Sequence, residues 1–375
     1  MSGYDVAVIG AGVMGCSTAL FLARGGMRVV LLDRGMLSRE ASGVNAGTLT
    51  MNMTRAALIP YALRGWEMWT QAAGWLGHSA GVLVTDGLSL AFTDAEAALL
   101  EARAQARQQA GAPIALITPA QARAIEPGLA ETVCLAAHCP IDGYATAYVT
   151  GRAFRAALVE AGVEIREQCP VRGLAPAAGG YAVRAGGDAL LARRIVLAGG
   201  VWIEEMLGWL DLAIPIKVLV NQLIVTERMR PVMRTVLSIA NGLLSLKQFA
   251  NGTVLVGGGW QGVGDRTRGG VAAIPENLIG NLRLARWVIP ALAEARILRI
   301  WLGLESEVAD AMPMLGPIPG HPGAFVIGTA HSGYTSGPFM GRLLAQVMLG
   351  QEPELPLFPP DRLLAGSFSR GEVAA

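Results

Sequence analysis

Hydrophobic residues at the start of this chain come in blocks. VAVIGAGVMGCSTALFLARGGMRVVLLDRG (Val6–Gly35) opens with a short apolar run, crosses a glycine-rich turn and continues as a long apolar segment. Blocks of this kind predict a buried strand (Val6–Ile9), a helix packed on it, and a second buried strand ending at Asp33. From about Ala56 to Leu135 the spacing is mostly helical. Thr93 or Asp94 caps a long amphipathic helix that Gly111 stops, and Thr118 with Pro119 opens a shorter one. TGRAFRAALVEAGVEI then predicts a helix feeding a strand, and ARRIVLAGGVW a buried strand ending in glycines.

From Ile214 strands dominate: IPIKVLVNQLIVTE, GLLSLKQFANGTVLVGGGW with a hairpin at Asn251-Gly252, and ARILRIWLGLE. One helix, about Pro275–Trp287, interrupts them. After Ala311 the α/β texture returns, with a strand at Ala324–Gly328, a glycine-rich loop, and a helix starting at Pro338, a favourable first helical residue. The tail after Arg362 is expected to be loosely held. No internal repeat or low-complexity segment is visible. The pattern implies that the chain leaves its first domain twice and returns. Residues 1–55, 145–213 and 310–365 would form that domain, and 56–144 with 214–309 the second.

Composition narrows the class. The 375 residues carry a net charge of +1, so neither nucleic acid nor an anionic membrane is an expected partner. Hydrophobic residues reach 52% against 16% charged, yet no apolar run approaches the roughly 20 residues of a membrane span. The surplus is expected in a large core and in subunit contacts. MSGYDVAVIG lacks a basic n-region or cleavage site, so no signal peptide is expected. Four cysteines (Cys16, Cys134, Cys139, Cys169) fit a reducing cytoplasm better than a disulfide framework. CLAAHC (Cys134–Cys139) hints at a metal site, but with four histidines in the chain and no second cluster, ordinary packing and no metal are expected. Cys16 is expected to be a core residue.

The N-terminal unit carries specific chemistry. Gly10 permits the tight turn out of the strand, Gly12 lets backbone approach a pyrophosphate, and Gly15 lets the helix lie on the strand. The helix N-terminus offers free N–H groups and positive dipole to the phosphates. Asp33 can accept hydrogen bonds from a ribose. This is a dinucleotide site, and by itself it leaves NAD and FAD open.

Four separated stretches carry a resemblance. They are the N-terminal unit, REASGVNAG (Arg39–Gly47), VLAGGVW (Val196–Trp202), and the final MPMLGPIPG…AHSGYTSGPFMGRLLAQVMLG. Together they resemble the D-amino-acid oxidase superfamily of FAD-dependent amine and amino-acid oxidoreductases, which includes glycine oxidase and the sarcosine oxidase β subunit. LKQFANGTVLVGGG and HSGYTSGPFMGRLLA are most similar to the β subunits of opine oxidases and D-hydroxyproline dehydrogenases. The resemblance implies an α/β chain. A Rossmann-type FAD-binding domain would be interleaved with an α+β substrate domain on a large mixed or antiparallel sheet.

It also implies positions. Val13, Met14 and Gly15 would follow the pyrophosphate, with Asp33 and Arg34 at the adenosine end. Ala41, Ser42, Ala46, Gly47 and Thr48 would form the second cofactor loop, with Ser42 a plain loop cap as the alternative. Val171 would meet the adenine, and Gly199 and Trp202 would flank the flavin. His331, Ser332, Gly333, Tyr334, Thr335 and Ser336 would lead a helix N-terminus to the flavin's N1–C2=O edge, where negative charge collects. That service suits FAD as the resident redox agent rather than a nicotinamide. The implied reaction is hydride transfer from the carbon of a CH–NH group to flavin N5, giving an imine, with an opine-, hydroxyproline- or sarcosine-like amine as substrate.

One departure stands out. Where amino-acid oxidases of this kind carry a carboxylate-clamping arginine after a W-x-G strand, IWLGLESEVADAMP places Glu305. Either another cation such as Lys247 or Arg55 replaces the clamp, or the substrate presents positive charge to Glu305, or Glu305 is turned away or paired structurally. Glu305, Lys247, Tyr334 and His331 are therefore the candidate substrate contacts, and no catalytic base is assigned. The resemblance also implies a hetero-oligomer, with a homo-oligomer as the alternative, in the cytoplasm or peripheral to a membrane through partners. The competing functions are a 2-hydroxy-acid dehydrogenase, other flavin chemistry such as tRNA modification, and a non-catalytic FAD-binding role.

Overall fold

The structure is a computed structural model and describes residues 3–265 and 270–364. The expected loose tail lies outside the described residues from position 365 on. In chain order the first half comprises β1 (Tyr4–Ile9), α1 (Val13–Arg24), β2 (Val29–Leu32), α2 (Ala41–Val44), β3 (Thr48–Leu49), α3 (Ile59–Thr70), α4 (Ala72–Leu76), β4 (Leu83–Val84), β5 (Gly87–Ala91), α5 (Asp94–Gln109), β6 (Ala115–Ile117), α6 (Pro119–Ile125), β7 (Leu135–Cys139), β8 (Gly143–Tyr144) and α7 (Ala147–Glu160). There follow β9 (Glu164–Arg166), β10 (Val171–Ala177), β11 (Gly180–Ala185), β12 (Asp188–Leu197), α8 (Ile203–Gly208), β13 (Lys217–Thr226), β14 (Val236–Ile239), β15 (Ser245–Gln248) and β16 (Val254–Gly257). The last are β17 (Val263–Gly264), β18 (Val271–Ala272), α9 (Pro275–Val288), β19 (Ile297–Glu307), β20 (Met314–Pro317), β21 (Ala324–Gly328) and α10 (Gly333–Met348).

Two eight-stranded sheets organise the molecule. The first runs β10-β11-β12-β1-β2-β9, with β21 on β12 and β20 on β21. Its β1, β2, β9, β12 and β21 pair in parallel, as the buried apolar blocks require. One face packs on Leu20 of α1, Phe154 of α7, Trp69 of α3 and Phe339 of α10, and the other on Ile203 and Leu207 of α8. The second sheet runs β19-β13-β16-β15-β14-β5-β7-β6. Leu88, Leu237, Leu246 and Val256 bury one of its faces against α6 and α9. The period of two leaves Ser89, Ser238 and Lys247 on the opposite face.

Several local signals act as read. Thr118 closes a capping box with Gln121, Thr93 caps α5, and the Asn251-Gly252 turn joins β15 to β16. Two features depart from the expectations. The 56–135 stretch carries its helices, but GLSLA among them forms β5, a central strand of the second sheet. Its five residues lie between helical segments, and its pairing partners are β7 and the distant β14. The last helix begins at Gly333, five residues before Pro338, which sits inside it. Pro338 cannot donate to the Tyr334 carbonyl, and the Trp69 indole does so instead at 2.9 Å. A donor from α3 thus permits a proline that would otherwise break the helix.

Candidate functional site

A cavity of about 1300 Å³ lies between the first sheet and the free face of the second. That exceeds the roughly 300–1,000 Å³ of a single small-molecule pocket, leaving room for a dinucleotide and a substrate together. At one end is the β1–α1 turn. Gly10 has φ +112°, and a Cβ there would stand 2.3 Å from the Ala198 carbonyl oxygen. A Cβ on Gly15 would stand 2.0 Å from the Gly10 oxygen, so α1 reaches β1 only through glycine. Asp33 accepts hydrogen bonds from the Ala11 and Gly35 N–H groups, both at 2.7 Å, which fixes its carboxylate at the tip of β2. Beside it Arg34 stacks on the Trp202 ring at 3.5 Å. Val171 and Gly199 line the same end.

The 39–48 loop closes the middle. Ser42 Oγ accepts from the Val13 N–H at 2.9 Å, so this hydroxyl caps α1 from another element. The Trp301 indole donates to the Val44 carbonyl at 2.8 Å, and Gly303 lets β19 approach Val44 closely. Lys247, 1% exposed, donates to the Ala46 carbonyl at 2.7 Å and to the Thr48 hydroxyl. Burial pushes its ammonium down to about 7. Lys247 thus holds the backbone of the loop and lies outside the cavity lining, contrary to its expected place against the substrate.

The turn after β21 forms the third wall. Thr329 and Ser332 adopt positive φ (56° and 60°) without being glycine, a strain that occurs where surrounding contacts over-determine the backbone. Met314 N–H donates to Thr329 Oγ1 at 3.0 Å and helps hold it. Met14, Gly333 and Thr335 also border the cavity. Tyr334 borders it too, but its hydroxyl bonds Thr150 at 2.9 Å and its ring stacks on Trp69, so its polar end braces α10 rather than facing a ligand. Ser336 is buried outside the lining.

The structure brings His331 and Glu305 together. His331 Nδ1 lies 2.8 Å from Glu305 Oε1, and Asn221 Nδ2 donates to Glu305 Oε2 at 2.7 Å. Burial pushes the Glu305 carboxyl up, but the His331 bond and charge, the Asn221 amide and the Arg55 charge outweigh it, so it titrates below the usual carboxylate range. The Glu305 bond in turn raises His331. Glu305 therefore faces the cavity and is already paired, which removes the need for a cationic substrate group. Arg55 lines the cavity and pairs with Glu307 at 3.4 Å.

Sequence reasoning did not single out Asn221, Arg103 or Arg107, all of which line the cavity. Arginines four apart on an amphipathic helix look like a solvated face, and no local signal distinguishes them.

A family model described as FAD dependent oxidoreductase (DAO) matches residues 5–347. The chain is similar to glycine oxidase of Pseudomonas aeruginosa, 30% identical with 96% of this chain and 99% of that protein covered. It is similar to the B-type subunit of opine oxidase from Agrobacterium tumefaciens, 28% identical with 96% and 98% covered. In structure it is similar to the crystal structure of glycine oxidase from Geobacillus kaustophilus, with TM-score 0.87 at 24% identity and 99% and 100% covered. The glycine turn that only Gly10 and Gly15 can make and a cavity larger than one small ligand fit a bound FAD.

Proposed function

The chain belongs to the FAD dependent oxidoreductase family, and from that premise we propose that it oxidises the C–N bond of an amino acid or secondary amine to an imine. The observation that carries this reading is the Glu305–His331 pair on the wall of the same cavity that the dinucleotide turn, the 39–48 loop and the start of α10 enclose. When bound, FAD supplies the acceptor for the hydride that leaves carbon. The chain's own residues position the amine and manage its proton. Glu305 holds His331 through Nδ1, which leaves Nε2 as the ring atom that exchanges a proton with the substrate nitrogen. Asn221 fixes the Glu305 carboxylate so that the imidazole keeps one orientation. No nucleophile is needed, since orientation and electrostatics suffice for hydride chemistry.

FAD would be held by Gly12, Val13, Met14 and Gly15 at the pyrophosphate, Asp33 and Arg34 toward the adenosine, and Ala41, Ser42, Ala46, Gly47 and Thr48 in the second loop. The relatives' designation as subunits supports assembly with a different chain, and the four unpaired cysteines support a reducing compartment. Expressed alone, the protein should aggregate or reoxidise slowly in air. A stable monomer with fast oxygen turnover refutes the hetero-oligomer.

The deciding experiment is anaerobic. Purified holoprotein is mixed with a panel of primary and secondary amines and 2-hydroxy acids, and loss of the flavin's visible absorption is followed. Bleaching by amines and not by hydroxy acids is expected. Bleaching by hydroxy acids alone would overturn the reading in favour of C–OH oxidation.

A further inference from the structure

The second sheet lines the cavity from the Glu305–His331 pair on β19 to β5 at the other side, and there α5 brings in two arginines. Arg103 and Arg107 are one helical turn apart and both line the cavity. Residues so spaced share a helix face, and like charges there repel. Each guanidinium makes one hydrogen bond, to a backbone carbonyl: Arg103 Nη1 to Ala240 at 2.6 Å and Arg107 Nε to Thr54 at 2.8 Å. Among the described residues neither has an acidic side chain within ion-pair distance, and most of their N–H donors are unused. Burial and the charge of Arg103 push Arg107 down to about 10, against which the buried Asp142 works only in part.

Below them lie two buried hydroxyls. Ser89 of β5 and Ser238 of β14 face each other in the parallel ladder and both line the cavity. Among the described residues neither side chain has a hydrogen-bond partner. Two cations without an acidic partner and two hydroxyls, all reached from the cavity, leave donors that an anion in the recess would take up. Arg107 donates to the Thr54 carbonyl, and Ser332 Oγ, next to His331, donates to the Met53 carbonyl at 3.3 Å, so residues 53–54 join the recess to the turn that carries His331. The recess is therefore within reach of an elongated substrate whose nitrogen lies against His331.

We propose that Arg103 and Arg107, with Ser89 and Ser238, form a carboxylate subsite for a second acidic group of the substrate, remote from the oxidised C–N bond. This rests on the amine oxidation proposed above and names its substrate class: an amine with a distal carboxylate. The forked guanidinium matches a carboxylate in a bidentate way that lysine cannot. The subsite supplies the positive charge that the clamp position, occupied here by Glu305, lacks.

The test measures binding on FAD-loaded protein by calorimetry, with glutarate, adipate and pimelate as dicarboxylate probes, hexanoate as the monocarboxylate and inorganic phosphate as the generic anion. Hexanoate and at least one dicarboxylate should bind about tenfold or more tightly than phosphate. Arg103→Gln and Arg107→Gln should each weaken carboxylate binding about tenfold to a hundredfold, with FAD content retained. Arg107→Lys, which keeps the charge, should recover only part of the loss. Insensitivity to both arginine variants, or phosphate binding as tight as any carboxylate, overturns the proposal. Dicarboxylate binding that follows the arginines while no amine bleaches the flavin would leave the subsite standing and refute amine oxidation. Bleaching by simple amines with no dicarboxylate binding would do the reverse.

Discussion

Trp69→Phe should loosen the start of α10 without emptying the core. The Trp69 ring is fully buried, stacked on Tyr334 at 4.9 Å, and its Nε1–H donates to the Tyr334 carbonyl at 2.9 Å and the Thr335 carbonyl at 3.1 Å. Residue 338 would normally donate to Tyr334, but it is proline. Phenylalanine keeps the stacking and deletes the donor. A buried acceptor left without a partner costs about 1–3 kcal/mol, and the void left by the smaller ring adds about 1 kcal/mol. The total is roughly 2–4 kcal/mol. An unfolding entropy of about 2.1 cal/mol/K per residue over 375 residues converts this to a Tm drop of about 3–5 °C. The assay is thermal unfolding at fixed FAD concentration, because bound cofactor shifts Tm by mass action. Pro338→Ala supplies the missing N–H, so it should recover most of the donor loss in the Trp69→Phe background. Its effect in the wild type is measured separately to close the cycle. Strictly additive effects in the double variant would refute the account of why α10 tolerates its proline.

The remaining predictions address the cavity. Gly15→Val should give insoluble protein, because its Cβ would overlap the Gly10 oxygen, whereas Gly12→Ala, whose Cβ meets only Ser42 Oγ at 3.1 Å, should fold and lose FAD. Flavin absorbance per chain checks this, and full flavin in both variants would sink the phosphate-loop assignment. Glu305→Gln removes a pair that is intact while Glu305 is ionised and His331 protonated. Glu305's contribution is present above its ordinary value of 4.5 and fades as pH falls through its depressed pKa. That of His331 is complete below 6.5 and fades as pH rises through its raised pKa. The stability gap between wild type and Glu305→Gln should therefore peak between these values and close on both sides, and a gap independent of pH contradicts the pairing. Lys247 releases its proton near 7 when folded and near 10.5 when unfolded, so the unfolded chain binds more protons in between and stability should rise with pH across that range, by roughly 5 kcal/mol. Lys247→Met should flatten that rise in urea unfolding, and an unchanged slope would refute the buried-lysine assignment.

Sequence alone determined the parts whose physics is local. The β1–α1–β2 unit ending at Asp33, the capped starts of α5 and α6, the Asn251-Gly252 hairpin and the strand Ala324–Gly328 are set by periodicity, capping and turn chemistry within a few residues of themselves. That a dinucleotide binds followed for the same reason, because the glycine turn carries its constraint in its own backbone, whereas FAD rather than NAD came from the resemblance of the four separated stretches together. Tertiary structure decided the rest. β5 is a strand because β14, almost 150 residues later, pairs with it, and α10 starts before Pro338 because Trp69 of α3 serves a carbonyl the proline abandons. Glu305 looked like an unpaired acid in its strand, and only the turn after β21 brings His331 to it. Lys247 became a support for the 46–48 backbone instead of a substrate contact, and Arg103 and Arg107 became cavity residues instead of a solvated helix face. A charge's partner is set by whatever the fold carries to within a few ångströms of it, and that distance is not written in the residues on either side.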